Sequence, residues 1–485
     1  MQTTSLIHLL RTLSTRERTR FGHYVRSPFF NRHEKVVALY GWLQEFAPAF
    51  ADEQMSRKAA WAVLFPGKPY NNARLDNFIS SLLQLLYGYL AYLQYEQQPV
   101  LERRLLIVEL LERDADKHVQ RNARRARQLL GRQPGRSYEY FLQRSLIEQQ
   151  LDLYELNRRQ RRFTAYLQQE NDALDLYYWC NKLRIACDMA SRNAVINAGY
   201  ECHFLSEVRR IYHESPVLNE QPALKLYYQA LQMLEHPEEE SHYFGLKALL
   251  KEQPEVITAD ELRTLYHYAL NHCIRQINSG IGTYYEEVFL LYRLMLEREL
   301  LLVHGQLSEW SFKNIVTTAI RTGAYQWTEG FIERYQAFLP EEGRPNAVAY
   351  NRAALYYARA DYKNALLQLQ DVEFTDTSYH LGAKIIQLKS YYELDEPEAF
   401  FALVEAFRKY LLRNREISDY RKQANANFLL LARKIYELRL EAPGLRRATL
   451  SKRIDALRSE ADSARAIANK NWLVEALDKL ERGCV

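Results

Sequence analysis

Glycine and cysteine are both scarce in this 485-residue chain, which holds 17 glycines and 5 cysteines. Glycine stands at about half its usual share, so few positions are free to make tight turns. Cys180, Cys187, Cys202, Cys273 and Cys484 are odd in number and irregularly spaced, unlike a disulfide framework, and a reduced, intracellular setting is the simpler expectation. No apolar run approaches the roughly 20 residues that cross a bilayer. The opening MQTTSLIHLLRTLSTRER has no basic segment ahead of its short apolar stretch, unlike a secretory signal. A soluble, cytoplasmic protein is therefore expected. Also missing are the phosphate-cradling GxxxxGK[ST], the dinucleotide fingerprint GxGxxG and the zinc-protease HExxH.

What is abundant favours helices. Leucine, alanine, arginine, glutamate and glutamine crowd the sequence, and straight-chain residues lose little rotamer freedom in a helix. Tyrosine is plentiful, at 35 residues, and suits seams between short helices, where the ring packs and the hydroxyl reaches water. The formal charge of +5 is unevenly spread. Residues 1–170 carry 26 Lys and Arg against 17 Asp and Glu, whereas residues 171–485 carry 39 against 43.

Ser14 with Glu17 and Asn31 with Glu34 have capping-box spacing, and predict helices from about 15 to 26 and again before VVALYGWLQEF. Further helices are expected over about 57–65 and 72–97, then a charged one from Pro99 to about 130, and a long one from Ser137. Residues 1–135 then read as a basic helical bundle. Arg121, Arg124, Arg125 and Arg127 lie in a stretch without acidic residues, and Arg158, Arg159, Arg161 and Arg162 form a second cluster. Both are candidates for contact with an anionic partner.

From about 137 onward, amphipathic segments of roughly 12–22 residues recur. A local pattern returns as LYYWCNKL at Leu176, LYYQALQML at Leu226, LYHYALNHC at Leu265, LYRLMLERE at Leu291 and LYYARADY at Leu355. Its uneven spacing points to repeated helix packing and not to a strict repeat, an irregular array over 137–308, and the best-ordered portion follows at 309–413. In the latter, one unit starting at Asn346 carries Ala353, Tyr356, Asp361-Tyr362, Ala365, Leu369 and Val372. The preceding unit carries Val316, Gly323-Ala324-Tyr325 and Ile332, and the following one Leu388, Tyr391, Asp395-Glu396-Pro397 and Val404. The landmarks Tyr325, Tyr362 and Pro397 are 37 and 35 residues apart.

In this spacing of small and aromatic residues the segment 309–413 resembles tetratricopeptide repeats, whose unit is a 34-residue helix-turn-helix. The resemblance implies an all-α chain, a right-handed α-solenoid of irregular tetratricopeptide-like helix pairs preceded by the N-terminal bundle. Residues 414–485, with Ile454, Leu457, Ala461, Ala464, Ile467 and Ala468 on a helical period, are expected to cap its end.

Such an array points to a non-enzymatic scaffold that binds a protein or peptide on the surface of its first helices, with Lys313, Asn314, Tyr350, Asn351 and Arg352 as candidate contacts. The alternatives are a regulatory protein whose basic N-terminal region contacts nucleic-acid phosphates, and an enzyme assembled from distant solenoid residues. No cofactor or metal is expected. Ser279-Gly280-Ile281-Gly282 follows a helical segment instead of a strand, and His267 and His272 are five apart, roughly 140 degrees around a helix. Cys180, Cys187, Cys202 and His203 would have to fold together to hold a metal. Acidic runs such as Glu238, Glu239 and Glu240 read as solvated faces.

Overall fold

The Ser14 hydroxyl accepts from the Glu17 amide, and the Glu17 carboxylate accepts from the Ser14 amide at 2.8 Å. This reciprocal cap, of the kind that stabilises a helix by about 1 kcal/mol, separates α1 (Ser5–Thr12) from α2 (Thr15–Arg26). The computed structural model describes residues 2–157, 163–196, 198–252, 255–370 and 377–482. The first bundle continues with α3 (Glu34–Gln44), α4 (Arg57–Leu64) and α5 (Asn72–Glu96). Ser56 and Asn71 cap α4 and α5 with their side chains. Phe21, Tyr40, Leu82 and Tyr89 lie in one buried cluster, where Tyr40 meets Phe21 edge-on at 4.8 Å and donates its hydroxyl proton to the Arg18 carbonyl. Asn31 does not cap α3. Its side chain donates to the Val25 carbonyl and accepts from the His33 amide, which closes a local turn, and the cap position falls to His33 without a side-chain bond.

The single charged helix expected from Pro99 to about 130 is two helices, α6 (Pro99–Glu112) and α7 (Asp116–Gly131), with Asp114 between them at φ 53°. No glycine or proline marks this break, because an aspartate tolerates the left-handed conformation. Val119, Ala123, Ala126 and Leu130 of α7 are buried, at the spacing of one helix face. They pack with Ile107 and with Ile147 and Leu151 of α8 (Tyr138–Asn157). Then come the long α9 (Tyr166–Ile196), α10 (Leu205–Glu214), the one-turn α11 (Pro216–Asn219) and α12 (Pro222–Glu235).

The remaining helices are α13 (Glu240–Glu252), α14 (Ala259–Asn278), α15 (Tyr284–Glu297), α16 (Glu309–Arg321), α17 (Tyr325–Tyr335), α18 (Arg344–Ala358), α19 (Tyr362–Gln368), α20 (Thr377–Glu393), α21 (Pro397–Arg413), α22 (Asp419–Glu441), α23 (Arg447–Ser463) and α24 (Lys470–Arg482). The only strands among the described residues are β1 (Leu302–Val303) and β2 (Gln306–Leu307), an antiparallel pair between α15 and α16. The fold is all-α. It divides into two compact units, Met1–Ile185 with Phe204–Leu224 and Ala186–His203 with Lys225–Val485.

Within the second unit, helices pack on their sequence neighbours from α13 through α22, and α16, α18 and α20 also pack one on the next. The turns joining the pairs share one geometry. Gly323, Ala360 and Asp395 each sit at positive φ two residues before α17, α19 and α21. After each, an amide reaches back five residues: Ala324 to the Ala319 carbonyl, Asp361 to Tyr356 and Glu396 to Tyr391, at 2.9–3.0 Å. This is the left-handed helix stop that satisfies carbonyls left open at a helix end. Of the small and branched residues aligned by the sequence, Val316, Ile332, Ala353, Ala365, Leu369, Leu388 and Val404 are buried and Ala324 is half-buried, while Val372 lies outside the described residues. So are the leucines of the recurring pattern, Leu176, Leu226, Leu265, Leu291 and Leu355. At the end of the chain, α24 buries Trp472, Leu473, Ala476 and Leu477 and packs on α22 and α23.

Candidate interaction surfaces

Two of the five residues read as solenoid contacts come together. The Lys313 ammonium on α16 lies 4.9 Å from the Tyr350 ring of α18, with Tyr379 of α20 at 5.0 Å and Trp310 at 5.6 Å, within the reach of cation–π attraction. Tyr350 meets Tyr379 edge-on at 5.1 Å. A Cβ at Gly382 would stand 2.7 Å from the Tyr350 ring, so the close approach of α18 and α20 at this point requires glycine. Burial pushes the Tyr350 hydroxyl up to about 12. The indole of Trp310 is 56% exposed and forms the outer edge of the cluster. Asn314 is exposed and Arg352 half-buried. Asn351 is fully buried and donates to the Ala347 carbonyl at 2.7 Å, while its side-chain oxygen has no hydrogen-bond partner.

The basic residues divide as well. Arg121, Arg124 and Arg125 are exposed on α7, opposite its buried face. Arg127 instead grips the buried carboxylate of Glu148 on α8 through both Nε and a terminal nitrogen and stacks on Tyr166 at 5.3 Å. Arg158, Arg159, Arg161 and Arg162 lie outside the described residues.

A third surface was not singled out from sequence. Along α17 and the turn after it, Trp327, Phe331, Tyr335 and Phe338 form a ladder of rings. Trp327 stacks on Phe331 at 5.3 Å, and Phe331 on Tyr335 at 4.9 Å, with Phe338 5.7 Å beyond. Phe289 of α15 closes one end against Trp327 at 4.8 Å. The ladder is one wall of a groove of about 560 Å³ whose other side is α15 and the segment leading into the β-hairpin. Its rim is charged. Arg293 and Arg334 are exposed, with guanidiniums 5.9 Å and 5.5 Å from the Phe289 and Tyr335 rings, and Glu297 and Glu299 stand beside them. Gly330 lies on the groove side of α17, and a Cβ there would meet nothing within 4 Å. A glycine in a helix interior costs about 1 kcal/mol relative to alanine, and no neighbour in the fold demands this one. The signal in the sequence was the spacing of Trp327, Phe331 and Tyr335 by four, which sets three rings on one helix face.

Several of the residues weighed for chemistry are engaged in packing. Cys180, Cys187 and Cys273 are buried thiols, Cys202 is half-buried, and none of these four is in a disulfide. Burial pushes the Cys273 thiol up to about 12, away from the thiolate that would react. His272 stacks on Tyr243 at 5.2 Å with both ring nitrogens buried and unpartnered, and burial holds it below the usual imidazole range. Gly280 is at positive φ in the turn after α14, where the Ile281 amide returns to the Gln276 carbonyl. Among the described residues, one set of metal-type donors converges: His236, Glu238 and Glu239, within 4.8 Å of one another on the turn before α13. It is solvent-facing, with both glutamates exposed. His236 lies 3.7 Å from Glu238, and His242 lies 3.1 Å from Glu239. No helix among the described residues is long and apolar enough to cross a membrane. Compared with protein-family models, curated proteins and solved structures, the chain matches none.

Proposed function

We propose that the protein is a non-catalytic, cytoplasmic interaction scaffold: a right-handed solenoid of irregular tetratricopeptide-like helix pairs that holds a peptide segment of a partner protein in the groove between α15 and α17. The repeated left-handed turn at Gly323, Ala360 and Asp395, together with the succession of α16, α18 and α20, supports the solenoid. The observation that carries the binding role is the ring ladder with an open glycine at its side. Aromatic rings and arginines are the residue types that dominate binding energy at protein interfaces. The segment that fits offers a bulky apolar side chain to the half-buried rings of Trp327 and Tyr335 and flanking carboxylates to Arg293 and Arg334.

Filling the groove tests this reading without damaging the fold. Gly330→Trp places a large ring where the helix has room, and helix propensity improves at the same time. Dodecapeptides selected from a random phage-displayed library on the full chain are expected to pair an aromatic with acidic residues. They should lose at least about tenfold in affinity on Gly330→Trp, the loss of about 1.4 kcal/mol expected for one displaced anchor. Failure to enrich any peptide, or enriched peptides indifferent to both Gly330→Trp and Trp327→Ala, would refute the groove as the binding site.

A further inference from the structure

The exposed charged residues of α7 are all cations, set among His118, Gln120 and Gln128. Lys117, Arg121, Arg124 and Arg125 point to solvent, while Val119, Ala123, Ala126 and Leu130 hold the opposite face in the core. With a rise of about 1.5 Å per residue, the four charges span about 12 Å. Lys117 and Arg121, and again Arg121 and Arg125, are four residues apart, the separation at which like charges on a helix repel. Among the described residues none of the four has a carboxylate partner, and Arg125 donates to Gln128 at 2.8 Å. The one arginine of this run that the fold uses, Arg127, points away to Glu148.

These side chains border a shallow groove of about 870 Å³ between α7 and α6. No carboxylate lines it among the described residues. Its other polar groups include Asn122 and Gln120, and Arg103 of α6 donates to the Asn122 side chain at 3.3 Å. Leu106 is its only apolar residue. We infer that this face of α7 binds the phosphate backbone of a nucleic-acid duplex without reading its sequence. A protein partner would need an apolar or aromatic centre, which interfaces of that kind bury, and the half-buried Leu106 is the one apolar side chain among the described lining residues. Base stacking by a single strand needs a run of exposed rings, and His118 is the one ring among the described lining residues. Protein–nucleic acid interfaces are polar and strongly positive, as this face is. The surface belongs to the first unit, shares no residue with the α15–α17 groove and does not depend on the peptide-binding reading.

The measurement is fluorescence anisotropy of the full chain with labelled 20-base-pair DNA and RNA duplexes from 50 to 200 mM salt. Four phosphate contacts predict a slope of log K against log salt of about −3.6, which is about a 150-fold loss over that fourfold range. Arg121→Gln/Arg124→Gln/Arg125→Gln should cut the slope to about −0.9, whereas the corresponding triple lysine variant should keep it near the wild-type value. All three positions are solvent-facing, and unchanged far-UV circular dichroism would verify that α7 still folds. Equal affinity for the two duplexes supports backbone contact common to both, and a preference for one identifies the source. A wild-type chain that binds neither duplex at 50 mM salt overturns the inference. So does a triple glutamine variant that binds as wild type, or poly-L-glutamate bound more tightly than either duplex.

Discussion

Burial holds the Lys389 ammonium of α20 down to about 8, and the charge of Arg321 pushes in the same direction while Glu475 opposes it. Its Nζ donates to the Asn469 side chain at 2.7 Å and lies 5.7 Å from the Trp472 ring, so the lysine is tied to the end of the chain by one neutral acceptor. In the unfolded chain the amine keeps its proton to about 10.5. Between about 8 and 10.5 the unfolded state therefore binds more protons than the folded one, and this residue makes stability rise with pH across that window. At pH 7 the desolvated charge is a cost. Lys389→Met should accordingly raise stability at pH 7 by about 1–2 kcal/mol, with the difference from wild type shrinking as pH approaches 10. Urea unfolding of both proteins at pH 7, 8.5 and 10 measures it. A variant that is less stable at pH 7, or a gap that does not change with pH, would show that the Asn469 bond outweighs the burial of charge.

At the scale of the helix pair, the shared turn carries a cost that depends on which residue occupies it. The left-handed position is Gly323 in one pair and Asp395 in another, but Ala360 in the pair between them, at φ 59°. A Cβ in this conformation crowds the neighbouring carbonyl. Ala360 is exposed and the turn is otherwise bonded as in its neighbours. Ala360→Gly should therefore stabilise by about 0.5–1 kcal/mol, the relief of crowding exceeding the added freedom of the unfolded glycine. An unchanged or lower urea midpoint would count against strain at this turn. The same turn explains what could be read beforehand. The helix start marked by Ser14 was legible because that residue acts locally. The break at Asp114 was not, since a left-handed aspartate looks like any other charged residue in a charged helix. Asn31 misled for a related reason: its side chain can cap a helix or close a turn, and its hydrogen bond to the Val25 carbonyl holds the turn.

Across the second unit the apolar packing is segmented. One cluster joins α20 to α24 through Leu388, Phe400, Phe428 and Leu477, while Ala353, Ala365 and Ile386 form a smaller one at α18 to α20. The succession of helices packed on their sequence neighbours was visible in the sequence because each amphipathic helix must bury its apolar stripe. The ring ladder was less visible, since aromatics on a helix face usually mean core, and only the open space at Gly330 separates the two cases. If stability is a sum of local units and their neighbours, a cavity at one end should loosen that end before the rest. Leu477 of α24 is fully buried in the terminal cluster, and Leu477→Ala should cost about 2–5 kcal/mol there. Amide hydrogen exchange followed by mass spectrometry should then quicken across α20–α24 and remain at wild-type rates across α13–α16. Uniform acceleration through all of these helices would instead mean that the unit opens as one cooperative core, and the segmented packing would have no counterpart in its energetics.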